Sequence, residues 1–190
     1  MGESEYFEAM IRNLLLGLGS LFFCLPFIAC AGELEPLQLG AKIPSVKAVD
    51  QDSVTFDLAA EGAKGYLLVY FYPKAFTPGC TAQACSLRDS YEVLTTKGIK
   101  VIGVSSDKSA SQKAFKEKNK LPFRLVADPD HNVEHAFGVP LLLGFATRQA
   151  YLFKDGVLVW KEEHASTAQQ AKDVLDFLAS PKEPKPPTSS

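Results

Sequence analysis

The residues with the most chemical content lie between Phe71 and Cys85, in the run Phe71-Tyr72-Pro73-Lys74-Ala75-Phe76-Thr77-Pro78-Gly79-Cys80-Thr81-Ala82-Gln83-Ala84-Cys85. An apolar, strand-like stretch closes at Pro73, a loop rich in proline and glycine follows, and a helix is expected from about Cys80. A thiol in the first turn of a helix stands at the positive end of the macrodipole, beside backbone N–H groups without intrahelical partners. Both features favour the thiolate over the thiol, and the thiolate is the nucleophile. Thr77, three residues earlier, places a hydroxyl on the same loop, where it is expected to hydrogen-bond the sulfur or an incoming oxygen ligand. A lone cysteine is more often a small buried hydrophobe. That reading leaves the crowding of Pro73, Thr77, Pro78 and Gly79 ahead of Cys80 unexplained.

The pattern Pro73-x3-Thr77-x2-Cys80 resembles the active-site motif of the peroxiredoxins (the alkyl hydroperoxide reductase and thiol-specific antioxidant type). The longer run to Cys85 is similar to the bacterioferritin-comigratory, or peroxiredoxin Q, subfamily. Further matching stretches are Gly103-Val104-Ser105, Ala127-Asp128-Pro129-Asp130 and Phe137-Gly138-Val139, so the similarity runs from about Leu39-Gly40 to Leu178. The resemblance implies that Cys80 is the peroxidatic cysteine and Cys85 the resolving one, and that Pro73 and Thr77 shape the peroxide pocket. It also implies an arginine from the start of a later strand, a position that Arg148 matches; Arg88 and Arg124 are the competing candidates. Members of the family often carry Asp at the position of Ala75 and Glu at that of Gln83, and neither exchange removes a group that the chemistry requires.

The implied chemistry is attack of the Cys80 thiolate on the near oxygen of a peroxide, while the far oxygen leaves with developing negative charge. Arg148 and the helix N-terminus would stabilise that charge, and Pro73 would shield the sulfur from water. The product is a sulfenic acid, which condenses with a nearby thiol to a disulfide, and a thioredoxin-like dithiol partner reduces that bond by exchange. No metal, haem or flavin is implied, and the domain is expected to be monomeric. In an ideal helix, residues five apart have Cα atoms about 8.6 Å apart, whereas a disulfide wants roughly 4.4–6.8 Å. Joining Cys80 to Cys85 therefore requires the first turns of the helix to unwind.

The elements that must hold this segment are legible in outline. Tyr66–Tyr72 is a continuous apolar run, the pattern of a strand buried on both faces, and Lys100–Ser105 is a second. A hairpin is expected from Val46–Val49 and Val54–Phe56, and another from Tyr151–Phe153 and Val157–Trp160 around Lys154-Asp155-Gly156. Helices are expected over Thr81–Thr96, Ser109–Lys118, Asn132–Phe137 and Thr167–Leu178. The alternation argues an α/β sheet with helices on both faces. With the resemblance it becomes a thioredoxin-like fold: a central mixed β-sheet with an N-terminal β-hairpin, over residues 39–179. His131 and His135 stand one turn apart, but without a tight cysteine hook they read as solvated or capping residues rather than zinc ligands. The lysines of Ser109–Asn119 read as a wet helix face, and Trp160 as core or edge-strand packing.

With 46% hydrophobic and 22% charged residues, the 190-residue chain is an ordinary globular sequence. Its one long apolar run, Leu14 to Ala31, follows Arg12 and ends in Ala29-Cys30-Ala31, a signal-peptidase site. Residues 1–31 are therefore expected to be a leader, with Met10 a cleaner start than Met1. A lipobox-like Phe27-Ile28-Ala29-Cys30 offers lipidation at Cys30 instead, and an uncleaved anchor helix is the third reading. All three export the domain to a bacterial periplasm or cell envelope. Tyr6 excludes a myristoylation signal. Residues 32–38 read as a spacer and 180–190 as a proline-rich disordered tail. Removing Glu3, Glu5, Glu8 and Arg12 with the leader leaves 19 charges of each sign, so no basic field exists to hold nucleic acid. Two other classes compete with a peroxidase. An envelope thiol–disulfide oxidoreductase lacks its usual Cys-x2-Cys, and a non-catalytic domain with a structural disulfide would suit an oxidising compartment.

Overall fold

The structure is a computed structural model that describes residues 35–180. The expected leader over 1–31 and the tail from 181 onward lie outside the described residues. The strands are β1 (Lys47–Asp50), β2 (Thr55–Asp57), β3 (Tyr66–Phe71), β4 (Ile99–Ser105), β5 (Arg124–Ala127), β6 (Leu141–Leu142), β7 (Phe145–Ala146), β8 (Gln149–Lys154) and β9 (Val157–Glu162). The helices are α1 (Leu58–Glu61), α2 (Pro78–Asp89), α3 (Tyr91–Thr96), α4 (Ser109–Asn119), α5 (Asn132–Ala136) and α6 (Gln170–Ala179).

Seven strands form one mixed sheet in the order β2-β1-β5-β4-β3-β8-β9, and β6 with β7 makes a separate small hairpin. The β3–β4 and β4–β5 pairs are parallel, while β1–β5 and β3–β8 are antiparallel. The central strand β3 explains why its sequence is apolar without alternation. Leu68, Tyr70 and Tyr72 face one core with Cys80, Ala84 and Leu87 of α2, Phe115 of α4 and Val174 of α6. Leu67, Val69 and Phe71 face the other, with Leu58 of α1, Val133 of α5, Tyr151 and Phe153. Burial on both faces removes the polar alternation that a half-exposed strand would show.

Both expected hairpins form. Asp155 and Gly156 have φ of 50° and 80°, the two positive values that a type I′ turn between β8 and β9 demands. Between β1 and β2, Asp50 Oδ1 accepts the amides of Asp52 and Val54 at 2.9 and 3.0 Å. Trp160 lies on the edge strand β9, its ring 6.2 Å from that of Phe177. The lysine-rich face of α4 is exposed; Gln112 and Phe115 are what the helix buries.

The structure departs from the sequence expectations at several elements. The single helix expected over Thr81–Thr96 is two, broken at Ser90 (φ −104°, ψ 8°), whose amide turns to the Arg88 carbonyl. The first of the two starts at Pro78, where proline's missing N–H costs nothing because the first helical amides have no partner. Strands β5, β6 and β7 and helix α1 are too short to show a period, and all went unexpected. The C-terminal helix begins at Gln170 rather than Thr167.

Gly103 of β4 sits opposite Tyr70 of β3. A Cβ at this position would stand 2.7 Å from the Tyr70 hydroxyl oxygen and 2.9 Å from Leu125 Cδ2. Both neighbours are fully buried. Gly103→Ala is therefore expected to destabilise the domain by about 1–3 kcal/mol through overpacking. Thermal denaturation checks this, and an unchanged melting temperature would contradict the contact.

Candidate active site

The loop between β3 and α2 is fixed from below by a buried polar network. Tyr72 Oη donates to Gln112 Oε1, and Gln112 Nε2 donates to Ser105 Oγ at 2.7 Å and to the Val126 carbonyl at 2.9 Å. Ser105 Oγ donates to Asp107 Oδ2 at 2.8 Å, which also accepts the Ala75 amide at 2.7 Å. From above, the Phe76 ring packs edge-on against Phe115 at 5.3 Å, with Phe76 itself in the left-handed region at φ 67°. Thr77 is the N-cap residue of α2 in extended geometry, but its side chain caps nothing. Its Oγ1 donates instead to the Lys74 carbonyl at 3.0 Å, which commits the hydroxyl proton and leaves the oxygen as an acceptor. Thr77 is therefore on the expected loop without touching the sulfur among the hydrogen bonds present. Pro73 is half-buried at the start of the same loop.

Cys80 is the third residue of α2, in its first turn, and 1% exposed. Arg148 stands just before β8 and reaches across to it, with Nη2 donating to Sγ at 3.3 Å. A full positive charge thus adjoins the atom that must carry negative charge in a nucleophilic attack, at the N-terminal end of a helix dipole. Gly79 leaves the guanidinium its room: a Cβ there would stand 3.2 Å from Arg148 Nη2 and 3.4 Å from Thr167 Cγ2.

The competing arginines are engaged elsewhere. Arg88 Nη1 donates to the Asn119 carbonyl at 2.8 Å, and Nη2 pairs with Asp89 at 2.7 Å. Arg124 pairs with Glu61 at 2.8 Å and lies over the Phe56 ring at 4.3 Å, near the β1–β2 edge of the sheet.

Cys85 is half-buried, and both thiols are free. Because α2 is continuous from Pro78 to Asp89, the two cysteines are held at helical spacing, out of disulfide reach.

Reasoning from the sequence assigned Gln83 no role, yet it is fully buried and bonded to Arg148. Arg148 Nη1 donates to Gln83 Oε1, and Gln83 Nε2 donates to Gln170 Oε1 of α6 at 2.9 Å. The available signal was position: three residues after Cys80, Gln83 shares its helix face. Nothing in the sequence pointed to Gln170 or Asp107, which come from distant elements; Ser105 stands in the matching stretch Gly103-Val104-Ser105, but without an assigned role. His131 is the N-cap residue of α5, with Nδ1 at 2.5 Å from Glu134 Oε2, and Glu134 also accepts from Ser106 Oγ at 2.9 Å. Burial pushes the Glu134 carboxyl up, against the opposing hydrogen bonds from His131 and Ser106. His131 is thus the cap residue of α5 and His135 is exposed on that helix, in line with solvated or capping histidines.

A reactive-thiol loop at the head of a helix, on a mixed sheet of this order, defines a class that sequence comparison identifies. Residues 39–161 match the AhpC/TSA family, and the chain belongs to it. It is 43% identical over 146 residues to a chloroplastic peroxiredoxin Q of Suaeda salsa, covering 74% of this chain and 67% of that one. It is 45% identical over 107 residues to the peroxiredoxin Bcp of Escherichia coli strain K12, covering 56% and 67%. Among solved structures, peroxidoxin BcpB of Mycobacterium tuberculosis superposes with a TM-score of 0.70 at 25% identity, covering 77% of this chain and 99% of that one. The bacterioferritin comigratory protein of Xanthomonas campestris, studied for its alkyl peroxide reduction activity, gives 0.68 at 28% identity, covering 76% and 96%. The fold is thus the thioredoxin-like fold of the peroxiredoxins, and the activity is that of a thiol-dependent peroxidase.

Proposed function

We propose that the chain reduces hydrogen peroxide and organic hydroperoxides to water and alcohols through a Cys80 sulfenic acid and a Cys80–Cys85 disulfide, which a thioredoxin-like dithiol then reduces. The observation that carries this reading is the 3.3 Å contact from Arg148 Nη2 to Cys80 Sγ in the first turn of α2. In it, the Cys80 thiolate attacks the near peroxide oxygen, the O–O bond breaks, and the leaving oxygen departs protonated as water or alcohol. Arg148 and the uncapped first-turn amides of α2 stabilise the charge that moves from sulfur to oxygen. Thr77 offers its free acceptor side to the peroxide proton, and Pro73 keeps bulk water from the sulfur. Cys85 displaces hydroxide, leaving as water, from the sulfenic acid once the first turns of α2 unwind. The role is antioxidant defence and redox homeostasis, by a monomer that needs no metal or organic cofactor.

Peroxide consumption by the purified protein, stoichiometric with oxidation of a supplied dithiol protein, is the experiment that tests this. An envelope thiol–disulfide oxidoreductase or a domain with a structural disulfide would consume the dithiol or nothing, but not peroxide. Neither alternative is favoured by two free thiols five residues apart in an intact helix.

The domain is further proposed to work in the periplasm or cell envelope, supported by Arg12, the run Leu14–Ile28 and Ala29-Cys30-Ala31. Among the described residues no helix is long and apolar enough to cross a membrane, so attachment would fall to the leader. The mature protein is expected to begin at Gly32, or at a lipidated Cys30. Cell fractionation with N-terminal mass analysis checks this, and a full-length form soluble in the cytoplasm would contradict it.

A further inference from the structure

The amides behind Arg148 form a chain with a direction. A guanidinium has donors and no acceptor, so Gln83 must turn Oε1 toward Arg148, which it does. The Gln83 NH2 group then faces away from the arginine, buried, and requires an acceptor. Gln170 supplies it with Oε1 at 2.9 Å. That orientation leaves the NH2 group of Gln170 pointing elsewhere, and Gln170 Nε2 is one of two buried side-chain polar atoms without a partner among the described residues. A buried donor left unpaired is costly, and turning the Gln170 amide over would set NH2 against NH2. The unpaired nitrogen is therefore where the polarity imposed at Arg148 ends.

We propose that Gln170, at the first position of α6, is a positioning residue for the peroxidase reaction: by accepting from Gln83 it fixes which end of that amide faces Arg148, and so holds the guanidinium on Cys80. This rests on the reading that Arg148 serves Cys80. Gln170 is fully buried, touches neither Cys80 nor the loop by any hydrogen bond present, and ties the C-terminal helix to the charge at the site. Without its acceptor, the Gln83 amide swings to find another, and Arg148 loses the oxygen that aims it.

The test uses Gln170→Leu, Gln170→Glu and each background's own control. Gln170→Leu removes the acceptor and the unpaired donor together at similar volume, but it leaves the buried Gln83 NH2 group without its acceptor, so one unpaired donor replaces another and the melting temperature is expected to fall by no more than a few degrees. Its second-order rate with hydrogen peroxide is expected to fall about tenfold, the size of one weakened hydrogen bond to a charged group. The pH midpoint of Cys80 alkylation is expected to rise with it, a shift that a purely structural role for Gln170 would not produce. Gln170→Glu keeps an acceptor, with its charge at a helix N-terminus that favours it, and is expected to stay within about threefold of wild type on the same scale.

The decisive arm repeats Gln170→Leu in a Gln83→Glu background. A carboxylate has no donor end to misplace, so Gln170 becomes dispensable and the loss shrinks to within about twofold. An equal loss in both backgrounds, or no change of rate and midpoint in Gln170→Leu alone, would overturn the proposal. Wild type and Cys80→Ser run alongside: a wild type that does not consume peroxide would overturn the activity itself, whereas an active wild type matched by Gln170→Leu overturns only the role of Gln170.

Discussion

Cys80→Ser is expected to abolish peroxide consumption outright while leaving the fold intact, because the exchange keeps shape and removes only the sulfur. Among the described residues, Cys80 is the one cysteine that combines the first turn of a helix with a direct arginine contact. Cys85, more than a turn deeper, has no place at the helix terminus, and the arginine beside it, Arg88, is already held by Asp89 and the Asn119 carbonyl. Cys85→Ser should accordingly still react once per molecule. It should then stop at a sulfenic acid that overoxidises in excess peroxide, since the thiol proposed to trap it is gone. Single-turnover peroxide consumption by the two variants separates these roles. Multiple turnovers by Cys85→Ser with a dithiol protein alone would mean a one-cysteine mechanism.

Arg148→Ala is the second large effect: peroxide attack should slow by roughly two to three orders of magnitude, the usual consequence of losing one donor aimed at developing charge. The arginine is only half-buried and its backbone bond to Ala165 is kept, so the melting temperature should move little. Stopped-flow oxidation of the reduced variant measures the rate directly. A near-normal rate would transfer the role to Arg88 or Arg124, although Asn119 and Asp89 hold the first and Glu61 the second.

How far these roles were visible in the sequence depends on how local each feature is. The Pro73–Cys80 loop is contiguous and crowds Pro73, Thr77, Pro78 and Gly79 ahead of Cys80, so it declared itself. Strand β3 declared itself too, because burial on both faces writes an unbroken apolar run. Helix α1 and strand β5 were lost because four residues carry no usable period. The break at Ser90 escaped because serine is unremarkable inside a helix, and a backbone amide turning to Arg88 leaves no mark on composition. The partners of Arg148 were legible only in part. Gln83 could be placed on the Cys80 face by helical spacing, whereas Gln170 enters from α6 through tertiary packing alone, far away in the chain. The supports under the loop, Ser105, Asp107 and Gln112, are polar residues of ordinary type whose importance comes from meeting one another while buried.

The central claim is that Cys80 and Cys85, separated by an intact helix when reduced, join when peroxide is consumed. The most direct measurement is the intact mass of the reduced protein before and after one equivalent of hydrogen peroxide, followed by digestion without reductant and far-ultraviolet circular dichroism. The expected result is loss of two hydrogens, a single disulfide within one peptide joining Cys80 to Cys85, and a drop in helicity as the first turns of α2 open. A stable gain of oxygen on Cys80 with Cys85 still alkylatable and the helix signal unchanged would contradict it.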